Sequence, residues 1–354
     1  VNLTDLITPY LTNIGQRYGC VVDASLCSFD KTLTPLSTAF IIASIAFFTI
    51  SSYFFVKRFH HKIRDIFILL AGIVIFELFT APLWNSLHLG KFGYIYIDLS
   101  WVLTIAWAAA FMASIMTIDR LLGKQKLRVK YFAYLAPMLI FTIAGEMILT
   151  SIGVRTYAPE VISTSLGWFF TIPVEVFYYA PVFSALVIAF FLFWKEVANG
   201  RPFVPTKRRF SLQNFIVFFV GIVAYELLVE PLALNQHFPA WSYVYLDISI
   251  IRILVWMLII WLSTWTLDFL VHSVNYFWRF ILYISLSSLI LYQVESWMIT
   301  NQYRVYSESV VQNFTGFVTP FSGIPIEIAI AIPLYLMIVL SFVAFWRMTL
   351  DNNL

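Results

Sequence analysis

Long apolar runs of about twenty residues alternate along this chain with short polar connections, and a run of that length spans the hydrocarbon of a bilayer as a helix. Nine such runs cover approximately residues 35–56, 65–84, 96–118, 129–151, 167–194, 211–233, 245–270, 277–299 and 321–346. They predict an all-α integral membrane protein with nine transmembrane helices. The connections sort by charge. One set is basic: "VKRFHHKIR" (56–64), "DRLLGKQKLRVK" (119–130), "WKEVANGRPFVPTKRRF" (194–210) and the end "FWRMTLDNNL". The other set, 85–95, 152–166, 234–244 and 300–320, is nearly free of Lys and Arg. Basic loops stay in the cytoplasm, so the N-terminus is expected outside and the C-terminus inside. A bacterial inner membrane is the default setting, with the outer side periplasmic.

Composition agrees with a membrane protein. Of 354 residues, 61% are hydrophobic and 12% charged, about half the charged share of a soluble domain. The net charge is only +3, and no nucleic-acid partner is expected. The bilayer itself is the first partner. Aromatics make up 19%, with 35 Phe, which suits lipid contact and also an apolar ligand channel. Cys20 and Cys27 fall outside, where a disulfide is permitted. Asn2 and Asn313 open glycosylation sequons on the same side. The chain opens on Val1, which leaves upstream processing open.

The chain also rhymes with itself. At an offset of 149 residues, "GIVIFELFTAPLWNSLHLGKFGYIYIDLSWVLTIAW" (72–107) overlays "GIVAYELLVEPLALNQHFPAWSYVYLDISIIRILVW" (221–256) without a gap. Glu77 meets Glu226, His88 meets His237, Asp98 meets Asp247 and Asp119 meets Asp268. Glu146 meets Glu295, Arg155 meets Arg304 and Tyr157 meets Tyr306. An insertion then moves the offset to 152, and "IPVEV" (172–176) meets "IPIEI" (324–328). The expected organisation is an extracytoplasmic segment (1–34), one extra helix with its basic loop (35–64) and a first four-helix repeat (65–195). A basic cytoplasmic linker (196–210), a second four-helix repeat (211–347) and a tail (348–354) follow. Four helices return the chain to its starting side, so the repeats are expected to be parallel.

Each helical hairpin carries two acids near its outer end: Glu77/Asp98, Glu146/Glu175, Glu226/Asp247 and Glu295/Glu327. A charged residue in hydrocarbon costs about 2.5–3.5 kcal/mol on insertion scales, so these acids must face the interior, be protonated or be paired. A water-poor protonated Glu can protonate a weak base such as a C=C bond. Plainer readings stand beside this one. Asp98 and Asp247 sit where an N-cap would. Arg155, Arg304, Arg252 and Glu230 could form ion pairs. Glu77 and Glu226 could hydrogen-bond between helices. His88 and His237 read as interfacial polar residues or as proton relays. Glu175 and Glu327 each follow a Pro step expected in the first turn of a buried helix, where exposed backbone lines a cavity. Arg252 has Leu103 as its counterpart, so the two halves should differ. No metal-ligand spacing, P-loop or dinucleotide glycine fingerprint is present, so no metal, nucleotide or flavin cofactor is expected.

The stretches "GEMILTSIGVRTY…GWFFTIPVEVFYY" and "VESWMITNQYRVY…GIPIEIAIAIP" resemble the integral-membrane carotenoid-modifying families, the heterodimeric or fused lycopene cyclases and the membrane carotenoid hydratases. The resemblance covers about 50 residues per half. It implies catalytic acids at Glu146 and Glu295 and at Glu175 and Glu327, with a polyene or isoprenoid as ligand. The cyclase motif carries a second Glu, where this chain has Val176 and Ile328. The function expected from these features is redox-neutral cyclisation or hydration of a polyene, started by protonation. The first alternative is a non-catalytic membrane subunit binding pigment, quinone or lipid, with partner membrane subunits. The second is a proton or cation pathway or transporter, for which Asp119 and Asp268 lie at the inner end.

Overall fold

The computed structural model describes residues 30–96, 98–200, 212–312 and 314–351. Cys20, Cys27 and both sequon asparagines lie outside the described residues. Nine long apolar helices are present among those described: α1 (Pro35–Lys57), α2 (Ile63–Thr80), α3 (Trp101–Leu121), α4 (Leu127–Ser151), α5 (Val176–Ala198), α6 (Leu212–Val229), α7 (Ile250–Leu270), α8 (Tyr276–Thr300) and α9 (Ile326–Asp351). Their length and composition make this an all-α membrane-spanning protein. The start of α1 is written locally. Thr34 Oγ1 accepts from the Ser37 N–H at 3.1 Å, Ser37 Oγ accepts from the Thr34 N–H at 2.9 Å, and Pro35 opens the first turn.

Four helices start later than hydropathy suggests: α3 at 101, α5 at 176, α7 at 250 and α9 at 326. The residues before them form short antiparallel pairs. These are β2 (Tyr94–Tyr96) with β3 (Leu99–Ser100), β5 (Trp168–Phe169) with β6 (Ile172–Pro173), and β8 (Tyr243–Tyr245) with β9 (Ile248–Ser249). A single bridge joins Val318 to Pro325. Such ribbons are as apolar as helix but satisfy backbone groups across a turn. Three expectations change accordingly. The caps of α3 and α7 are Ser100 and Ser249, not Asp98 and Asp247. Ser100 Oγ accepts from the Val102 N–H at 3.2 Å, whereas the two aspartates lie between their paired strands. Pro173 lies in β6, and Pro325 lies in the isolated bridge; neither is in a helical first turn.

Two further strand pairs close long separations. β1 (Trp84–Ser86) pairs with β4 (Arg155–Tyr157), and β7 (Ala233–Asn235) pairs with β10 (Arg304–Tyr306). Trp84 faces Tyr157 and Ala233 faces Tyr306, so both members of the second register stand 149 residues beyond the first. Tyr94 Oη donates to Ser86 O at 2.8 Å, and at the same offset Tyr243 Oη donates to Asn235 O at 3.1 Å. His88 and His237 both take left-handed backbone, with φ of 58° and 61°.

The chain divides into two compact units, Val1–Ile188 with Thr315–Phe317, and Ala189–Phe314 with Val318–Leu354. The boundary falls inside α5. In the first unit α3 is central, packed by α1, α2 and α4. Phe183, from the first half of α5, meets Phe76, Trp107 and Phe111 there. In the second unit α7 packs on α8 and α6, while α9 packs on α6 and α8.

Candidate functional site

The acids gather with Arg and Tyr at the helix ends that carry the strand pairs. In the first unit, Arg155 and Tyr157 alternate along β4 and so share its buried face. Pairing with β1 holds that face over the end of α4. Arg155 Nη1 donates to Glu146 Oε1 at 2.5 Å, and Tyr157 Oη donates to Glu146 Oε2 at 3.0 Å. The Arg155 guanidinium lies 4.6 Å from the centre of the Trp84 ring, a cation–π distance. Burial and the neighbouring carboxylate push the Tyr157 hydroxyl well above the usual phenol range, so it stays a donor. Glu77, near the end of α2, feels both Arg155 and Glu146 electrostatically. Thr104 Oγ1 lies 2.6 Å from Glu77 Oε2 and 3.0 Å from Ser100 O.

The second unit uses matching residues with different wiring. Arg252 pairs with Glu226, and its guanidinium lies 4.9 Å from the Trp256 ring centre. Tyr306 donates to Glu295. Arg304 Nε stands 3.6 Å from Glu295, while its Nη1 donates to Ala233 O at 2.6 Å and Asn235 Oδ1 at 2.9 Å. Arg155 thus serves the carboxylates, whereas Arg304 is shared with β7. Tyr225 feels Glu226, Arg252, Arg304 and Glu295 together, so these form one cluster.

The remaining candidates stand elsewhere. Glu175 is buried, but its oxygens accept from Ser165 Oγ and the Leu166 N–H, each at 2.7 Å. It fastens residues 165–167 to the start of α5. Glu327 is half-buried in the first turn of α9. His88 Nδ1 lies 3.1 Å from Thr32 O, and its N–H donates to Asp30 O, so it ties down the chain before α1. His237 meets the Tyr303 ring edge-on. Asp247 is half-buried, and its backbone carbonyl accepts from Asn235 Nδ2. Asp119 and Asp268, at the opposite helix ends, are each held by a cation and a tyrosine: Lys130 and Tyr134 for the first, Arg279 and Tyr283 for the second.

Lys31, Thr104, Ser165, Tyr134 and Tyr283 were not among the sequence candidates. The two tyrosines stand 149 residues apart, so the self-overlay carried a signal for them. Lys31 carried none. It lies buried, with its Nζ 3.8 Å from the centre of the Tyr94 ring, in the field of Asp98. Burial raises the Asp98 carboxyl to about 6, against the opposing pull of Lys31 and a Ser86 backbone hydrogen bond. Between the unfolded value of 3.8 and about 6, the folded protein holds a proton the unfolded chain has released. Stability should therefore fall as pH rises through that window, and Asp98→Asn should flatten the slope. Thermal unfolding across the window checks this. An unchanged slope in the variant would refute it, and slope is the right readout because Lys31 also loses its partner.

No family model, curated protein or solved structure matches the chain.

Proposed function

We propose that the protein is a membrane-embedded acid catalyst acting without redox change on an apolar polyene or isoprenoid, with Glu77 as proton donor. Charge balance carries this reading. The second unit sets two guanidiniums, Arg252 and Arg304, against Glu226 and Glu295. Among the described residues the first sets Arg155 alone against Glu146 and Glu77, with Leu103 where Arg252 stands in the second. One carboxylate is left over in surroundings that disfavour net charge. Thr104 supports assigning the proton to Glu77. Its one hydroxyl proton faces two acceptors, and a proton on Glu77 would serve the second contact. The isoprenoid class rests on the motif resemblance.

In the proposed step the π electrons of a terminal C=C take the Glu77 proton, forming a C–H bond and leaving a carbocation and a carboxylate. Ring closure by a neighbouring C=C followed by proton loss, or capture of water followed by proton loss, returns the proton to a carboxylate. For that cation, contact with the Trp107 and Phe183 rings of the same unit is the proposed stabilisation. The orientation, N-terminus outside and C-terminus cytoplasmic in a bacterial inner membrane, is proposed from the basic loops. A non-catalytic ligand-binding subunit is the second reading, favoured because Glu146 and Glu175 already have both oxygens engaged.

Expression in a bacterium that accumulates lycopene, with pigments resolved by mass, tests the proposal. A cyclised or hydrated product should fall by about 100-fold or more in Glu77→Gln, and persist in Glu175→Gln. Product loss confined to Glu175→Gln or Glu327→Gln would move the chemistry to those acids. Unchanged lycopene beside well-folded protein would favour the binding subunit.

A further inference from the structure

The second unit contains a cavity of about 530 Å³ between α6 and α7, near the end of α9. Ligand sites commonly span about 300–1,000 Å³. Its walls are apolar and aromatic, including Phe218, Leu258, Trp261 and Trp265. Its polar groups, Asn214, Thr264, Asp268 and Arg347, come from the start of α6 and the last turns of α7 and α9. They therefore cluster at one end, opposite the strand pairs.

Among the described residues, cations outnumber carboxylates at that end. Asp268 is already engaged by Tyr283 and Arg279. Arg347, Asp268 and Arg279 all act on half-buried Tyr276, so among the described residues two cations there face one carboxylate. Arg347 Nε is buried with no hydrogen-bond partner among the described residues. Long apolar walls ending at a surplus guanidinium match an amphiphile with an anionic head.

The first unit shows how the same face is treated when a helix covers it. There α1 lies along α3, and His61, just beyond α1, reaches to 3.7 Å from Asp119. The covered stretch of α3 reads Ala108-Ala109-Ala110-Phe111-Met112-Ala113-Ser114, small residues that admit a close helix. The matching stretch of α7 reads Met257-Leu258-Ile259-Ile260-Trp261-Leu262-Ser263. Bulky side chains replace that seam. The apolar window of α3 is 72% buried and that of α7 only 33%. The α7 face lacks the small residues of that seam and is the more exposed of the two.

We propose that this groove binds one anionic lipid, its phosphate or carboxylate head at Arg347 and an acyl chain against Trp261 and Trp265. Purified full-length protein in vesicles would be titrated with brominated phosphatidylglycerol or brominated phosphatidylcholine, reading tryptophan quenching. The anionic lipid should quench preferentially. That preference should fall about tenfold in Arg347→Gln, survive in Arg347→Lys, and vanish in Trp261→Phe/Trp265→Phe. Equal quenching by both lipids, or an unchanged preference in Arg347→Gln, would overturn the proposal and leave ordinary annular lipid. A photoreactive side chain at position 258 provides a second readout in native membranes. A lipid-mass adduct supports the proposal, and a polypeptide adduct overturns it in favour of a partner helix.

Discussion

Replacing Arg252 by methionine lowers the stability of the folded protein by about 3–5 kcal/mol, the range for breaking a buried ion pair from one side. Arg252 is buried in α7 and its partner Glu226 is buried in α6. Without the guanidinium, Glu226 is a carboxylate at membrane depth with no replacement cation on its own helix. The aromatic contact with Trp256 is lost as well. The double variant Glu226→Leu/Arg252→Met should recover most of the loss, because two apolar side chains restore neutrality and packing. Equilibrium unfolding in detergent measures both. If the double variant is as unstable as the single one, the loss reflects side-chain volume and the electrostatic account fails. The first unit manages with Leu103 at this position, so an apolar residue is sterically acceptable there once the acid is dealt with.

Replacing Arg155 by methionine should also cost about 3–5 kcal/mol, and more than the matching change at Arg304. Arg155 is the guanidinium that serves both Glu146 and Glu77, and it also covers Trp84. Its loss leaves the Glu146 carboxylate beside Glu77 with the Tyr157 hydroxyl as its remaining partner. Loss of Arg304 leaves Arg252 on Glu226 and the Tyr306 hydroxyl on Glu295, so each carboxylate keeps a close partner. The same unfolding experiment orders the two variants, and a larger loss for Arg304→Met would contradict this account of the partners. Adding Glu146→Gln to Arg155→Met should restore part of the stability, because it removes the carboxylate that Arg155 had paired.

The two units wire a shared set of residues differently. Glu146, Arg155 and Tyr157 recur as Glu295, Arg304 and Tyr306, on equivalent strands in equivalent register. With Arg252 present, Arg304 turns two of its contacts to Ala233 and Asn235. Without it, Arg155 stays on Glu146. A similar divergence separates the other helix ends, where α1 and His61 reach α3 and Asp119, while α7 and Asp268 border an open groove.

Several of these features follow from sequence alone, for a physical reason. Crossing a bilayer requires about twenty apolar residues in succession, a local and additive property, so the helices were legible from hydropathy. The offset of 149 needed only residue identities, and it already paired Glu77 with Glu226 and Arg155 with Arg304. It also flagged Arg252 as the position where the halves part. Tertiary structure decided what depends on neighbours distant in sequence. Strands 94–96 and 243–245 are as apolar as the helices they precede, so only their pairing partners delayed α3 and α7 to 101 and 250. Glu175 looked free for chemistry until Ser165 and Leu166 closed on it. The surroundings of Glu77 exist only in the folded protein, where Thr104, Glu146 and Arg155 come together around it. Charge in a low-dielectric interior is balanced across helices, and the sequence of one helix does not say which partner completes the balance.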